Sequence, residues 1–344
     1  MGVCDGLLNV RECGAVGDGK RDDTRAIQKA LDEAAERGVS VLIPGGVFCT
    51  SRLRLRSRTG LVGWPAWNYR EFGGSILRLV DEGAPCLLDA TGAIGATVSG
   101  LCLDGGNLGK ETHGVMVEKM DYGKEEDTVL VERCRIARFS GDGVHLGRIW
   151  VFTVRHCMIG MNGGSGLRVR GWDGFVLDNW LSGNKGAGYL AEQENASVTM
   201  TGNRVEWNAL GGIVICGGSH YNMTGNYIDR SGGPGMRMGP REKTPCRVIC
   251  ATGNVIYRSG APHWRVLERY ESCHVYADQV TGLTLMGNSM NAGQDDGGAA
   301  VAAVWDRVPG VVEQCDSWEC DVGGGVVRIA GGPGRARGGG SGGG

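Results

Sequence analysis

No stretch of about 18 apolar residues occurs in the chain, so no membrane-spanning helix is expected. An excess of charge of one sign is also missing. The 36 basic and 38 acidic side chains leave a formal net charge of −2, and no global field argues for nucleic acid or an anionic membrane as partner. The N-terminus lacks a basic segment followed by an apolar stretch. No secretory signal is therefore visible, and a cytoplasmic protein or a trimmed secreted chain is expected. Neither CxxC nor a Cys/His zinc spacing appears among the thirteen cysteines. Cys134 and Cys157 share one repeat position beside apolar residues, which points to buried, reduced thiols; Cys315 and Cys320 stand unpartnered. Glycine is abundant, at 63 of 344 residues, but without a Gly-X-Y period. Collagen is excluded, and frequent tight corners explain the excess.

What is present is a repeat. Gly143-Val144-His145-Leu146, Gly166-Leu167-Arg168-Val169, Gly188-Tyr189-Leu190-Ala191, Gly212-Ile213-Val214-Ile215 and Gly235-Met236-Arg237-Met238 share one pattern, with glycines 23, 22, 24 and 23 residues apart. Nine residues before each glycine stand Cys134, Cys157, Asn179, Asn203 and Asn226. Asn254 to His263 and Asn288 to Gly297 continue that offset. A period in the low twenties with Gly or Asn at the corners predicts a parallel β-solenoid. The phased asparagines are expected inside it, as a ladder bonding backbone at a corner.

Ahead of the repeat, Asn9 to Gly19 read Asn-Val-Arg-Glu-Cys-Gly-Ala-Val-Gly-Asp-Gly. Asp22-Asp23-Thr24 then opens a helical pattern over 22–38, with Ile27, Ala30, Leu31, Ala34 and Ala35 on one face, Asp or Thr as cap and Gly38 as stop. Such a helix serves as the lid on one end of the stack. Strands follow on either side of Pro44-Gly45-Gly46, and Leu53, Leu55 and Leu61 begin the rungs. This opening, from Asn9 to Phe48, resembles that of the pectate-lyase-like superfamily, which includes polygalacturonases, rhamnogalacturonases, related lyases and epimerases, and some phage tailspikes. The resemblance implies an all-β, single-stranded right-handed parallel β-helix with an N-terminal capping α-helix, and a polysaccharide or oligosaccharide as partner. The helical domain is expected to span 1–330, with an irregular segment at 301–330 and a flexible glycine-rich tail at 331–344. Longer connections around Lys119–Thr128, Pro240–Cys250 and Leu267–Thr281 are expected to wall a groove.

Alternate side chains of a strand face opposite sides. In Gly-Φ-x-Φ the residue x faces out, giving a column Met116, His145, Arg168, Leu190, Val214, Arg237 and Arg265. Two residues on runs a second column, Glu118, Gly147, Arg170, Glu192, Cys216 and Gly239. Before the glycines stand His113, Asp142, Ser165, Ala187, Gly211, Pro234, Pro262 and Asp296. With rungs ~4.8 Å apart, His113 should meet Asp142 and His145 should meet Arg168. Candidate catalytic residues are therefore Asp142, His145, His113 and Arg168. Candidate substrate-binding residues are Arg170, Glu118, Trp172, Asp173, Glu192 and Arg237, with Trp172 offering a face to a sugar ring. The aromatic loop Trp64 to Tyr69 either lines a sugar subsite or packs under the end cap. Asp295-Asp296 lies rungs away from Asp142.

Ser140 to Leu146 resembles the Asn-Thr-Asp-Gly-Ile-Asp-Ile strand of polygalacturonases, which aligns Asp142 with a catalytic aspartate. The next rungs depart from that pattern. Gly164-Ser165 replaces an Asp-Asp pair, Gly186-Ala187-Gly188 replaces Gly-His-Gly, and the Arg-Ile-Lys signature is missing. Two chemistries remain open. A lyase would use His145 or His113 as base and Arg168 with Arg170 to neutralise a uronate. A hydrolase would pair Asp142 with Glu118, Asp173 or a loop carboxylate. No cofactor is expected; Ca²⁺ could substitute for the arginine pair, but no cluster of three or four carboxylates in adjacent rungs announces it. The alternative is a non-catalytic, tailspike-like or adhesin-like β-helix that binds glycans or acts as a spacer. A trimer burying Leu190 and Val214 would suit it, whereas a monomer favours an enzyme.

Overall fold

The computed structural model describes residues 6–260, 272–291, 301–308, 311–314, 317–319 and 326–329. Within them, 33 short strands accompany one α-helix, Thr24–Arg37. All strand pairings between successive turns are parallel, and the repeat read from the sequence is the register. Val144 lies opposite Leu167, Leu167 opposite Tyr189, Tyr189 opposite Ile213 and Ile213 opposite Met236. Each turn contributes to three sheets. The first contains His113–Glu118, the opening halves of Val144–Arg155 and Leu167–Leu177, then Ala187–Glu192, Gly211–Cys216 and Met236–Gly239. The second continues through Val129–Glu132 to Cys246–Thr252 and beyond. The third holds three-residue strands such as Arg135–Ala137 and Trp180–Ser182.

Inward positions of the first sheet carry Val115, Val144, Leu146, Leu167, Val169, Tyr189, Ile213 and Met236, all buried. Between the second and third sheets, each phased asparagine bonds the next. Asn179 N–H and its side-chain amide donate to Asn203 Oδ1 at 3.0 and 3.0 Å, and its amide also donates to the Val154 carbonyl at 2.8 Å. The ladder continues through Asn226 and Asn254 to Asn288. A second ladder, Asn162, Asn184 and Asn208, fills the corner between the third and first sheets. Its spacing of 22 and 24 residues was legible beside the first ladder.

Several expectations are corrected. The helix buries Ile27, Ala30, Leu31 and Ala34, but Ala35 is exposed. Asp23, expected to cap the helix, instead accepts the Val16 and Gly17 amides at 2.8 and 2.9 Å, locking the Gly14–Gly19 turn. Asp22 bonds the Thr24 amide in its place. The third insertion lies at another corner. The strand opposite Met236 is Cys273–Asp278, so Tyr276 follows Arg237 in the outward column and the nine-residue offset fails after Asn254. Arg265, Pro262, His263, Asp295, Asp296, Gly297, Cys315, Cys320 and the tail 331–344 lie outside the described residues. Segment 301–330 is not irregular where it is described: Val301–Asp306 and Val326–Ile329 extend the first sheet, with Val304 opposite Val327. Of the ten cysteines among the described residues, seven are buried. The Trp64–Tyr69 loop neither caps the stack nor joins the first sheet. Buried Arg135 binds the Asn68 and Tyr69 carbonyls, and Tyr69 stacks on Trp180 of the third sheet. No helix among the described residues is long and apolar enough to cross a membrane.

Candidate active site

The corner that begins each rung of the first sheet is too tight for a side chain. A Cβ on Gly143 would stand 2.3 Å from Ile159 Cγ2 and 2.8 Å from the Gly166 carbonyl oxygen. The glycine column thereby fixes the chain so that the residues before and after it converge. Asp142 is buried, and its Oδ1 accepts the Ser165 amide at 2.7 Å. Its Oδ2 faces His145 Nδ1 at 2.9 Å, and its own amide donates to His113 Nδ1 at 2.9 Å. On the far side, His145 Nε2 meets Glu118 Oε2 at 3.0 Å. A continuous line therefore runs from buried Asp142 through His145 to Glu118, whose side chain is 52% exposed.

The two imidazole centroids lie 4.3 Å apart with the rings tilted by 32°, yet they carry opposite charge preferences. Burial and the neighbouring His145 push His113 down to about 4, against the opposing pull of Asp142. Its Nδ1 already accepts a backbone amide, so neutral His113 keeps its proton on Nε2. Burial opposes charge on His145 too, but the bonds to Asp142 and Glu118 outweigh it and its pKa is raised. Asp142 is likewise lowered: burial works against ionisation, and the bonds from His145 and the Ser165 amide overcome it. Of the two imidazoles, His145, held between Asp142 and Glu118, is the one that favours its charged form.

Glu118 is cradled. Its carboxylate lies over Gly147, where a Cβ would fall 2.5 Å from Oε2. Arg148 stands 3.7 Å from Oε1 and bonds the Lys119 carbonyl. Arg148 is the extra residue of a β-bulge between Gly147 and Ile149, with left-handed backbone at φ 53°. Farther along, Arg168 pairs with Glu192 at 2.6 Å, and Arg241 of the second insertion approaches the same carboxylate at 3.5 Å. Arg170 pairs with Glu194 at 2.8 Å. Glu118, His145, Arg168, Arg170, Glu192 and Arg241 line one open depression of about 530 Å³.

Three of the sequence candidates stand apart from this depression. Trp172 stacks on Tyr122 at 3.9 Å, so the insertion Lys119–Thr128 covers the face expected to meet a sugar. Asp173 accepts the Trp150 indole N–H at 3.0 Å, beyond the corner on the second sheet. Arg237 extends over Tyr276 at 5.9 Å. Val214 is buried and Leu190 half-buried, so the outward apolar pair is not an exposed patch. Sequence reasoning missed Arg241, Gln193 and Arg148. Arg241 sits in a recognised insertion, and no phase marks which residue of such a loop turns inward. Among the described residues, His113, Asp142 and His145 are the one group of His, Cys, Asp or Glu close enough to hold a metal ion. Their facing atoms are already bonded to one another or to backbone.

The family model described as "Right handed beta helix region" matches residues 111–241, and "Rhamnogalacturonase A/epimerase, pectate lyase-like" matches 7–71. The chain is a right-handed parallel β-helix, similar over 7–71 to pectate-lyase-like proteins. This β-helix superimposes on the mannuronan C-5 epimerase AlgE4 A-module of Azotobacter vinelandii with a TM-score of 0.63 and 17% identity, covering 96% of this chain and 100% of that one. DFA-IIIase from Arthrobacter chlorophenolicus A6, solved without its lid in complex with GF2, gives 0.71 and 14%, with coverage of 95% and 92%. Tailspike protein 2 of an Escherichia coli O157:H7 bacteriophage gives 0.65 and 14%, with coverage of 89% and 42%. At these identities the likeness concerns the fold. A probable glucan endo-1,3-beta-glucosidase of Arthroderma benhamiae is 38% identical over 63 residues, which is 18% of this β-helix and 7% of that protein.

Proposed function

We propose that the chain hydrolyses a glycosidic bond in an oligosaccharide or polysaccharide laid across the first sheet, with Glu118 as proton donor and Glu192 as its partner carboxylate. The observation that carries this reading is the linked Asp142–His145–Glu118 line ending at an open groove. Glu118 and Glu192 belong to one outward column, three rungs apart through Gly147 and Arg170. Glu118 leans one rung toward Glu192, over Gly147, while the Arg168 side chain reaches across to Glu192. Roughly two rung spacings of ~4.8 Å then separate the carboxyls, close to the ~6.5–9.5 Å that leaves room for an attacking water in inverting hydrolysis. In this mechanism His145 first passes its Nε2 proton to Glu118, which delivers it to the departing oxygen and is left as a carboxylate beside neutral His145. Glu192, fixed by Arg168 and Arg241, takes the proton of the water. The relatives whose names mention a glucosidase or an epimerase support a carbohydrate substrate.

Three arginines in the groove favour β-elimination from a uronate as the second reading, with Arg168 and Arg241 released from Glu192 by the substrate carboxylate. One assay separates the readings. The pure protein is incubated with neutral and acidic polysaccharides while reducing ends and the ultraviolet absorbance of unsaturated uronates are followed. Reducing ends without absorbance establish hydrolysis, and both signals together establish the lyase. Neither signal on any polysaccharide, with a folded protein, overturns cleavage.

A further inference from the structure

Beyond Arg241 lies a second depression of about 550 Å³ that shares Gln193 and Arg241 with the first. Its other walls are Glu194, Gly217, Glu242 and Thr244. The hairpin that supplies it is tight: Arg241 and Thr244 exchange backbone hydrogen bonds at 3.0 and 2.9 Å. It rests on Gly217, where an added Cβ would meet Arg241 Cβ at 3.1 Å. The hairpin is therefore docked on the rung, and the two depressions form one path along the solenoid with Arg241 at the junction.

The two parts of the path differ in charge. The first is lined by Arg168, Arg170 and Arg241 together with His145, against Glu118 and Glu192. In the second, Arg241 is turned to Glu192 and Glu194 to Arg170, which leaves Glu242 as a carboxylate without a cationic partner among the described residues. A carboxylate on a ligand placed there would face like charge in a site open to water. Hydroxyl groups face the opposite situation, because carboxylates, the Gln193 amide and the Thr244 hydroxyl all accept or exchange hydrogen bonds with them.

We infer that the second depression is a subsite for an uncharged sugar unit of the same glycan, and that the Pro240–Pro245 hairpin selects against a uronate at that position. This rests on the first depression holding the neighbouring unit, as proposed above, and it does not depend on cleavage. The extra length of path, about two rungs of ~4.8 Å, suits one or two further sugar units.

The experiment measures binding rather than turnover. Glu118→Gln protein is titrated calorimetrically with laminari-oligosaccharides of two to six units and with oligogalacturonates of the same lengths. The expected result is a tightening of about tenfold as the neutral series lengthens past the first depression, a smaller gain in the acidic series, and loss of the neutral gain in Thr244→Ala/Glu242→Ala protein. Glu242→Gln alone should narrow the gap between the two series. Length-independent binding, an equal gain in the acidic series, or no binding of either series overturns the subsite. Length-dependent neutral binding by a wild-type protein that cleaves nothing supports it, while refuting the hydrolase reading.

Discussion

At the scale of single residues, the site is a matter of which atoms are already committed. Asp142 gives one oxygen to the Ser165 amide and the other to His145, so it holds the imidazolium and never meets substrate. Asp142→Asn keeps an acceptor for the amide but removes the charge that raises His145. Turnover should fall by about 10²–10⁴, with little change in melting temperature, and His145 should titrate lower by NMR. An unchanged rate would remove Asp142 from the mechanism. Gly147→Ala tests the cradle. An added Cβ falls 2.5 Å from Glu118 Oε2, so the carboxylate must leave His145 or rise into the groove. Activity should drop at least about tenfold, while the cost in stability stays small because the added Cβ meets only the movable end of the Glu118 side chain. Equal activity in Gly147→Ala would show that the position of Glu118 is unimportant.

At the scale of elements, the asparagine ladders do for the corners what sheet hydrogen bonds do for the rungs. Asn203 Oδ1 accepts the amide and side chain of Asn179, while its own side chain donates to the Val176 carbonyl and Asn226. Asn203→Ala strands several buried polar groups at once, each costing ~1–3 kcal/mol when left unmade. Chemical denaturation should show a loss of at least about 3 kcal/mol, against less than about half a kcal/mol for an exposed change such as Glu242→Gln. A loss no larger than the exposed control would remove the ladder as a stabilising element. This ladder was legible because its members recur in phase, and so were the facing columns that joined His113, Asp142, His145 and Arg168. Phase is all that such a reading has. It ended where a long corner intervened between Asn254 and Cys273, and it passed over the 23-residue step from Val304 to Val327. It also overvalued Trp172, because nothing in the spacing shows that Tyr122 of an insertion folds back over its ring. The Asp142–His145–Glu118 line was only half visible, since a column gives neighbours but not which side chain leans toward which.

At the scale of the whole molecule, each turn touches only its neighbours, so a fault in one rung weakens the stack locally and the ends most easily. His274 is such a fault. It takes the place that glycine holds in the preceding rungs, opposite Gly235, and is fully buried with no hydrogen-bond partner for either ring nitrogen among the described residues. Burial alone pushes it down to about 4. In the unfolded chain a histidine accepts its proton near pH 6.5, so between pH 6.5 and 4 the unfolded state binds the extra proton and folding stability falls with acidification. His113, also down at about 4, acts in the same direction. Raised His145 acts oppositely: its contribution is fully present below about pH 6.5 and is lost as pH rises through its folded value. A shift from about 6.5 to about 4 corresponds to at most ~3 kcal/mol for His274. Wild-type melting temperature should therefore decline from pH 6.5 to pH 4. His274→Leu should flatten that decline while leaving the behaviour above pH 7 unchanged, because the replacement is apolar and carries no proton. The measurement is a melting series at quarter-unit pH steps on both proteins. Parallel curves would mean that His274 stays neutral in the unfolded chain's window for another reason, or that its rung opens before the proton arrives, and in either case the acid response would belong to His113 and the rungs around the site.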